Sequence, residues 1–191
     1  MKRFYSVLFL AAVCAALVLN CTPAMVKAVQ PYSISPEFDL SRTWRIAVLP
    51  PAGGSSDTGD EGGLREFAEL QLMKIPTVVV VDRSKVDAVL KEQEFSWSGV
   101  VDPQTAARLG GLLGANALMS IRIGQVKHDP FFSDSPNQRD AEVSVRIVSV
   151  ENGSVLYSAQ GQSSSFEGAE EALKGAVLTA LLPLLEKGGV K

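Results

Sequence analysis

The chain has 191 residues, 18 basic and 21 acidic side chains, and a formal net charge of -3. This length fits one domain with additional segments, and the basic residues do not cluster on one face, which argues against a nucleic-acid surface. Both cysteines lie within the first 21 residues and there is one histidine. The body of the chain therefore offers neither a disulfide nor a cysteine- or histidine-based metal site, and no metal or cofactor is predicted.

The amino-terminal segment has the pattern of a secretory leader. Lys2 and Arg3 form a short basic region, and residues 7–19 form an apolar run. That run is too short for a membrane-spanning helix, which needs about 20 residues. Residues 1–20 are therefore predicted to be a signal peptide.

Cys21 follows this run directly, in the sequence VLNCTP. The arrangement resembles the lipobox of bacterial lipoproteins, in which the peptidase cuts just before a cysteine whose thiol already carries diacylglycerol. The residue before the cysteine is Asn20, where a lipobox usually has Gly, Ala or Ser. Lipidation of Cys21 is the prediction. The alternatives are cleavage after Ala28, which would release a free periplasmic protein, and an uncleaved anchor.

The segment after Cys21 is rich in proline and shows little periodicity. Residues 21–43 are therefore predicted to be the lipidated cysteine and a flexible tether. Several acyl chains, palmitate among them, anchor a cysteine more firmly than one chain does. Thr22 is not the aspartate that marks inner-membrane retention in enteric bacteria. The predicted location is the outer membrane, lipid-anchored and facing the periplasm.

Residues 44–191 alternate strand and helix patterns. Apolar runs predict strands at residues 44–51 and 77–82, and the second is expected to be buried on both faces, including Val78 to Val81. An apolar stripe at helical spacing predicts a helix over residues 61–74. A third strand is predicted over residues 115–126.

Local signals mark the ends of the remaining elements. Ser84 is predicted to cap one helix and Asp102 the next. The pair Asn152-Gly153 is the strongest two-residue hairpin signal and joins the fourth and fifth strands. A last helix follows, bent or broken at Pro183. The predicted fold is a single α/β domain, a sandwich with a mixed five-stranded sheet and about four helices.

Several stretches of this domain resemble the CsgG family of curli-secretion lipoproteins. They are RIAVLP, VVVDRSKVDAVLKEQ, SGVVDPQTAARLGGLLGA and the hairpin VSVRIVSVENGSVLYS. The resemblance runs from about Arg45 to the last helix. It implies a scaffold domain related in fold to LpoB-type activators and to the amino-terminal domain of TolB.

The sequence also differs from the pore-forming members of this family. Pore subunits of the family insert long β-hairpins into the outer membrane at two links, one between the third and fourth strands and one before the last helix. Each membrane strand needs about 9–11 residues. The corresponding links here, residues 127–140 and 163–168, are too short to cross a bilayer twice. The chain therefore resembles the family domain without its pore-forming parts.

No sequence motif predicts catalysis. The glycine-rich residues 50–63 follow a strand as a phosphate loop does, but they lack the Gly-Lys-Ser/Thr ending and carry acidic side chains that would repel phosphate. His128 could serve as a base and the serines at 163–165 as nucleophiles, but the sequence has no Gly-x-Ser-x-Gly motif, which forms the nucleophile elbow of a hydrolase. The prediction is a non-enzymatic protein of outer-membrane assembly or curli-type secretion. An LpoB-like activator of a peptidoglycan synthase is the alternative, and a small hydrolase or nucleotide-binding protein is the third hypothesis.

The candidate partner contacts are apolar side chains. Phe131 and Phe132 lie in a polar link, where they either anchor a partner or fold back onto the sheet edge. Leu178, Leu182 and Leu185 form a second apolar stripe on the last helix, which is either additional core or a subunit contact. The predicted partners are the membrane, through the lipid, and an envelope protein. A homo-oligomer is left open.

Overall fold

The computed structural model of the chain describes residues 31–54, 61–93, 102–127 and 138–190, without the side chains of residues 61 and 62. The strands are β1 (Tyr32–Ile34), β2 (Trp44–Val48), β3 (Ala52–Gly53), β4 (Val78–Val80), β5 (Ala117–Lys127), β6 (Arg139–Ser149) and β7 (Val155–Ser165). The helices are α1 (Glu61–Leu72), α2 (Arg83–Glu92), α3 (Pro103–Leu113) and α4 (Ala169–Lys187). The predicted signal peptide, Cys21, His128, Phe131 and Phe132 lie outside the described residues.

The described strands form one seven-stranded mixed sheet. Its order is β1-β7-β6-β5-β2-β4, and β3 pairs with β5. β2 is parallel to β4 and β5, whereas β5, β6, β7 and β1 pair antiparallel in turn. The α/β class and the mixed sheet are confirmed, but the sheet has seven strands and not five. The two additional strands, β1 and β3, are too short to show a strand pattern in the sequence.

Helices cover the sheet on both faces. Ile46 and Val48 of β2 belong to the larger apolar core, beneath α1 and α4. Ala47 and Leu49 belong to a second core, beneath α2 and α3. Successive side chains of a strand point to opposite faces, so β2 is buried on both sides in the middle layer of an α/β/α sandwich. Within the described ranges, no helix has the length and apolar character needed to cross a membrane.

Strand β4 lies at an edge of the sheet. Val78 and Val81 are buried, but Val79 is 42% exposed. The prediction that Val78 to Val81 are all buried was therefore wrong. Among the described strands β4 pairs with β2 alone, and Val79 lies opposite the exposed Arg45. The four-valine run is typical of an interior strand, yet the second core reaches only its last residue.

Residues 31–43 belong to the fold. Tyr32–Ile34 pair antiparallel with β7, and Phe38 is fully buried with its ring edge-on to Trp44 at a centroid distance of 5.0 Å. The Trp44 indole donates a hydrogen bond to the Asp39 carbonyl at 2.8 Å. The prediction of a flexible tether up to residue 43 was wrong for this part, because a three-residue strand and a single buried aromatic leave no periodic signal. A tether over residues 21–30 stays a prediction.

The connection between β6 and β7 is longer than the predicted two-residue turn. It runs from residue 150 to residue 154 and contains Asn152-Gly153. Gly153 has a φ of +70°, and the Asn152 side chain accepts a hydrogen bond from the Ser154 nitrogen at 2.9 Å. A Cβ on Gly153 would stand 2.6 Å from Cβ of Pro103. Glycine therefore permits both the turn and its close packing on the first turn of α3.

Helix α4 continues past Pro183 to Lys187. Proline has no N–H, so the helix loses the hydrogen bond to the carbonyl of Thr179. The Thr179 hydroxyl donates to the Gly175 carbonyl at 2.8 Å one turn earlier. The proline therefore does not end the helix, because the following turn packs on the larger core through Leu184.

Candidate functional site

The carboxylates of Asp82 and Asp102 cap the amino-terminal ends of α2 and α3. Asp82 accepts hydrogen bonds from the backbone nitrogens of Ser84 at 2.8 Å and Lys85 at 3.4 Å, so the cap of α2 is Asp82 and not the predicted Ser84. The hydroxyl of Ser84 also donates to Asp82 and, with these two bonds, lowers the pKa of Asp82. Asp102 caps α3 as predicted, and hydrogen bonding from Thr105 lowers the pKa of Asp102. Both groups are ionised caps, not acids with a raised pKa.

Glu170 and Glu171 of α4, and Ser163 of the serine run, also have contacts that indicate a structural role. Lys174 lies 2.8 Å from a carboxylate oxygen of Glu170 and 2.9 Å from one of Glu171. A Cβ on Gly175 would collide with the side chain of Ser163, so Ser163 lies directly beneath α4. In the part of the chain that the structure describes, no group of three His, Cys, Asp or Glu side chains is placed to hold a metal ion.

A network of charged side chains joins α1 to α2. These two helices lie on opposite faces of the sheet. Arg65 is 3% exposed, with Nη1 2.6 Å from a carboxylate oxygen of Asp87 and Nε 3.3 Å from one of Glu69. Burial raises the pKa of Glu69, and the Arg65 charge acts in the opposite direction. Sequence analysis missed this network because it joins residues far apart in the chain. Two carboxylates already flank this guanidinium, so we assign it a structural role.

The outward side of the α1–α4 pair carries exposed apolar side chains. Leu178 and Leu182, one turn apart on α4, are 39% and 48% exposed, whereas Leu185 is 4% exposed and belongs to the core. Leu70 of α1 and Met73, the residue after the end of α1, are 54% and 62% exposed, and α1 packs against α4. We call Leu70, Met73, Leu178 and Leu182 the helix face. The predicted stripe thus divides into two surface residues and one core residue.

An open groove of about 510 Å³ runs beside the helix face along β4. Leu70, Met73 and Val80 supply apolar lining, and Glu66 and Asp82 supply acidic lining. The sequence pattern of α1 draws attention to its buried stripe, and Leu70 and Met73 lie off that stripe. Their exposure could be found only once the helix was placed on the sheet.

The far end of the three long strands forms the sheet tip, which we define as residues 125–127, 139–141 and 163–166. Lys127 lies opposite Asp140, and Arg139 lies opposite Ser165. Phe166 is 65% exposed, the highest value among the large apolar side chains of the described residues. Both links that correspond to the hairpin insertions of the resembled family begin at this end of the sheet.

The family comparison agrees with this architecture. Residues 62–130 match the family model described as curli production assembly/transport component CsgG. The chain carries a CsgG-like domain. The match covers less of the chain than the predicted resemblance, since it begins in α1 and ends just after β5. No curated protein sequence matches the chain.

Solved structures share the fold of the CsgG-like domain. Lipoprotein GNA1162 from Neisseria meningitidis is 19% identical and superposes with a TM-score of 0.56, over 75% of this chain and 99% of that one. A PelC dodecamer from Paraburkholderia phytofirmans is 14% identical, with a TM-score of 0.52 over 81% of this chain and 95% of that one. At these identities the likeness establishes the fold alone.

Proposed function

We propose that this chain is a non-enzymatic, lipid-anchored envelope protein. It acts in outer-membrane assembly or secretion by binding a protein partner, without pore-forming insertions of its own. The observation that carries the proposal is a CsgG-like domain with short links at the sheet tip. β7 ends at Ser165 and α4 begins at Ala169, so the second link has no room for a membrane hairpin.

The charged residues of the domain support a binding role. The carboxylates of Asp82 and Asp102 cap helices, and that of Glu69 pairs with Arg65. The helix face, by contrast, offers apolar side chains that have no role in either core. Contiguous exposed apolar patches on a domain surface mark protein or membrane interaction sites. We therefore place the partner contact on the helix face, with Phe131 and Phe132 as a second predicted contact.

The similar structures supply two further supports. GNA1162 is a lipoprotein, and PelC was solved as a dodecamer. By analogy, the partner contact of this chain includes a second copy of itself. Since a fold does not fix a function, both points are proposals for this chain.

The helix face is expected to be needed for binding and not for folding. We expect the double variant Leu178→Ser, Leu182→Ser to keep its melting temperature within a few degrees, because surface substitutions usually change stability by about 0.5 kcal/mol or less. In-cell crosslinking with mass spectrometry should show loss of crosslinks to the partner. Leu112→Ser is the matched control, since Leu112 is also 48% exposed but lies on α3, on the opposite face of the sheet.

Intact crosslinks in the double variant would remove the helix face from the proposal. Loss of crosslinks in the Leu112→Ser control alone would place the contact on the other face of the sheet. The variant Phe131→Ser, Phe132→Ser, measured in the same way, separates the second predicted contact from the first.

Cys21 is expected to carry the lipid. The Cys21→Ser variant should lose membrane attachment and either stall as a precursor or be released by cleavage after Ala28. The measurement is membrane fractionation with mass spectrometry of the mature amino terminus. A wild-type protein that begins with an unmodified Val29 and stays soluble would contradict the anchor and leave a free periplasmic protein.

A further inference from the structure

Strand β4 uses every second residue to bond to its neighbour β2. The Thr77 carbonyl accepts a hydrogen bond from the Trp44 nitrogen at 2.8 Å, and the Val81 nitrogen donates to the Ile46 carbonyl at 2.9 Å. Backbone groups of successive strand residues point to opposite sides of the strand. Residues 77, 79 and 81 therefore face β2, and the two residues between them face away from the sheet.

The outward-facing backbone groups belong to Val78 and Val80. The Val78 nitrogen donates to the Ile75 carbonyl at 2.9 Å. The Val78 carbonyl and both backbone groups of Val80 have no hydrogen-bond partner among the described residues. We call these three groups the β4 edge. An unpaired strand edge of this kind is a template for pairing with another chain.

Strand β4 lacks the features that usually prevent such pairing. Edge strands are commonly protected by charged side chains, proline or a β-bulge. Val78–Val80 contain neither a charge nor a proline, and their register with β2 has no shift. Val79 is 42% exposed. The length of three residues is the one limit on pairing, so the β4 edge fits a short segment of a partner.

A groove of about 510 Å³ lies directly beside the β4 edge. Leu70 and Met73 line it on the side of α1, and Asp82 and Ser84 line it at the start of α2. A strand placed beside β4 would lie in this groove and turn alternate side chains toward Leu70 and Met73. Apolar side chains at those positions would therefore be buried against the helix face.

The groove also carries an excess of negative charge. Six charged side chains lie in it or directly behind it: Glu66, Glu69, Asp82, Asp87, Arg65 and Arg83. The four carboxylates exceed the two guanidinium groups by two charges. A lysine or arginine of a partner would be attracted to this excess. Pairing of β4 with a second copy of itself would instead bring two acidic groups of side chains together, so the charge favours a different protein.

We propose that the β4 edge binds an extended segment of another envelope protein, which adds to the sheet as a further strand. This segment carries apolar side chains at alternate positions, toward Leu70 and Met73, and a lysine or arginine next to Glu66. The proposal rests on the proposed function, in which the helix face binds a protein partner, and it names the chemistry of that partner. Main-chain hydrogen bonds supply affinity, and the lining of the groove selects the sequence.

The probe for this contact is the synthetic peptide acetyl-KVSVSVK-amide, which has valine at alternate positions and a lysine at each end. It is titrated by calorimetry into the chain from residue 22, which contains every described element. Two further peptides carry N-methyl groups on the valine nitrogens alone or on the serine nitrogens alone. In an added strand only one of these two sets points toward β4. We therefore expect one methylated peptide to bind like the unmodified probe and the other to fail.

Hydrogen exchange measured by NMR reports the new backbone contact. Exchange of the Val80 N–H is expected to slow by about tenfold when the probe is bound, because this group gains an acceptor. The Val79 N–H, which faces β2, is the internal control and should change little. Slowing at Val80 with rising protein concentration and no probe would mean that a second copy occupies the edge, and it would overturn the proposal.

The charge of the groove is tested with a matched pair of variants. Glu66→Lys should weaken binding of the probe by about tenfold, since it places like charges together. Glu151→Lys makes the same change of charge at an exposed position in the β6–β7 connection and should leave binding unchanged. Circular dichroism checks the fold of both variants.

Three results would contradict the binding of a basic strand. They are no binding of the probe at about 1 mM, the weak end of specific affinities, equal binding of the two methylated peptides, and equal effects of the two charge variants. The proposed function fails separately. Probe binding with intact crosslinks in the Leu178→Ser, Leu182→Ser variant would remove the helix face and keep the β4 edge. Lost crosslinks without probe binding would keep the helix face and remove the β4 edge.

Discussion

Replacing Arg65 with alanine is expected to lower the free energy of unfolding by about 3 kcal/mol. The Arg65 side chain is 4% exposed and lies between Glu69, 14% exposed, and Asp87. Removing the guanidinium leaves the Glu69 carboxylate in a poorly solvated position without its counter-charge. Asp87 is 52% exposed and regains water contacts, which limits the loss. Urea denaturation of the mature domain measures the effect.

The same variant is expected to show a defined pH dependence. Burial raises the pKa of Glu69 above its ordinary value of 4.5, and Arg65 opposes that rise. A carboxyl whose pKa is raised by folding destabilises the protein progressively as pH rises from its unfolded-state pKa through its folded-state pKa. Without Arg65 the pKa of Glu69 rises further and this penalty grows. The stability difference between wild type and variant should therefore be largest at neutral pH and shrink below about pH 4.5.

Arg83→Ala is the matched control for this experiment. The Arg83 guanidinium lies 3.6 Å from a carboxylate oxygen of Glu66, and both side chains are about half exposed. Exposed pairs of this kind contribute about 0–1 kcal/mol. A loss in Arg65→Ala no larger than in Arg83→Ala would mean that the network does not hold α1 to α2.

Periodic elements of this fold could be predicted from the sequence, because their side chains alternate or repeat over several turns. The apolar stripe of α4, which is buried from Ala172 to Leu184, is of this kind. The cap at Asp102 with Pro103 is equally local and is confirmed. The predictions that were wrong depend on where an element lies in the sheet, which its sequence pattern does not show. Val79 looks like an interior strand residue, yet β4 is an edge strand.

The candidate surfaces could likewise be predicted from the sequence only in part. The apolar stripe of Leu178, Leu182 and Leu185 was visible in the sequence, but its division into two exposed residues and one core residue appears only once the helix is placed on the sheet. The exposure of Phe166 depends on the position of Ser165 at the end of β7. The network around Arg65 joins two helices through side chains that are 22 positions apart in sequence. Such contacts follow from topology and have no sequence pattern of their own.

Replacing Gly161 with alanine is expected to destabilise the domain by about 3 kcal/mol, at the upper end of the usual cost of overpacking. Gly161 lies on β7 directly beneath α4 and is buried. A Cβ there would overlap the carbonyl oxygen of Ala176 and stand 2.7 Å from the Ala180 nitrogen. These are backbone atoms of a helix and cannot rotate away, so α4 must move off the sheet.

Two readouts test this close approach. The Tyr157 hydroxyl donates a hydrogen bond to the Ala180 carbonyl, and burial raises the pKa of Tyr157. If α4 lifts, water reaches this hydroxyl, and an ultraviolet titration should show the pKa of Tyr157 falling toward its ordinary value of 10. Urea denaturation should show the lower stability in parallel. The control is Gly111→Ala on α3, where a Cβ meets no atom within 4 Å. Removing a helix-interior glycine should stabilise that variant by about 0.5–1 kcal/mol. If both variants are stabilised alike, the contact between α4 and β7 is looser than the structure describes.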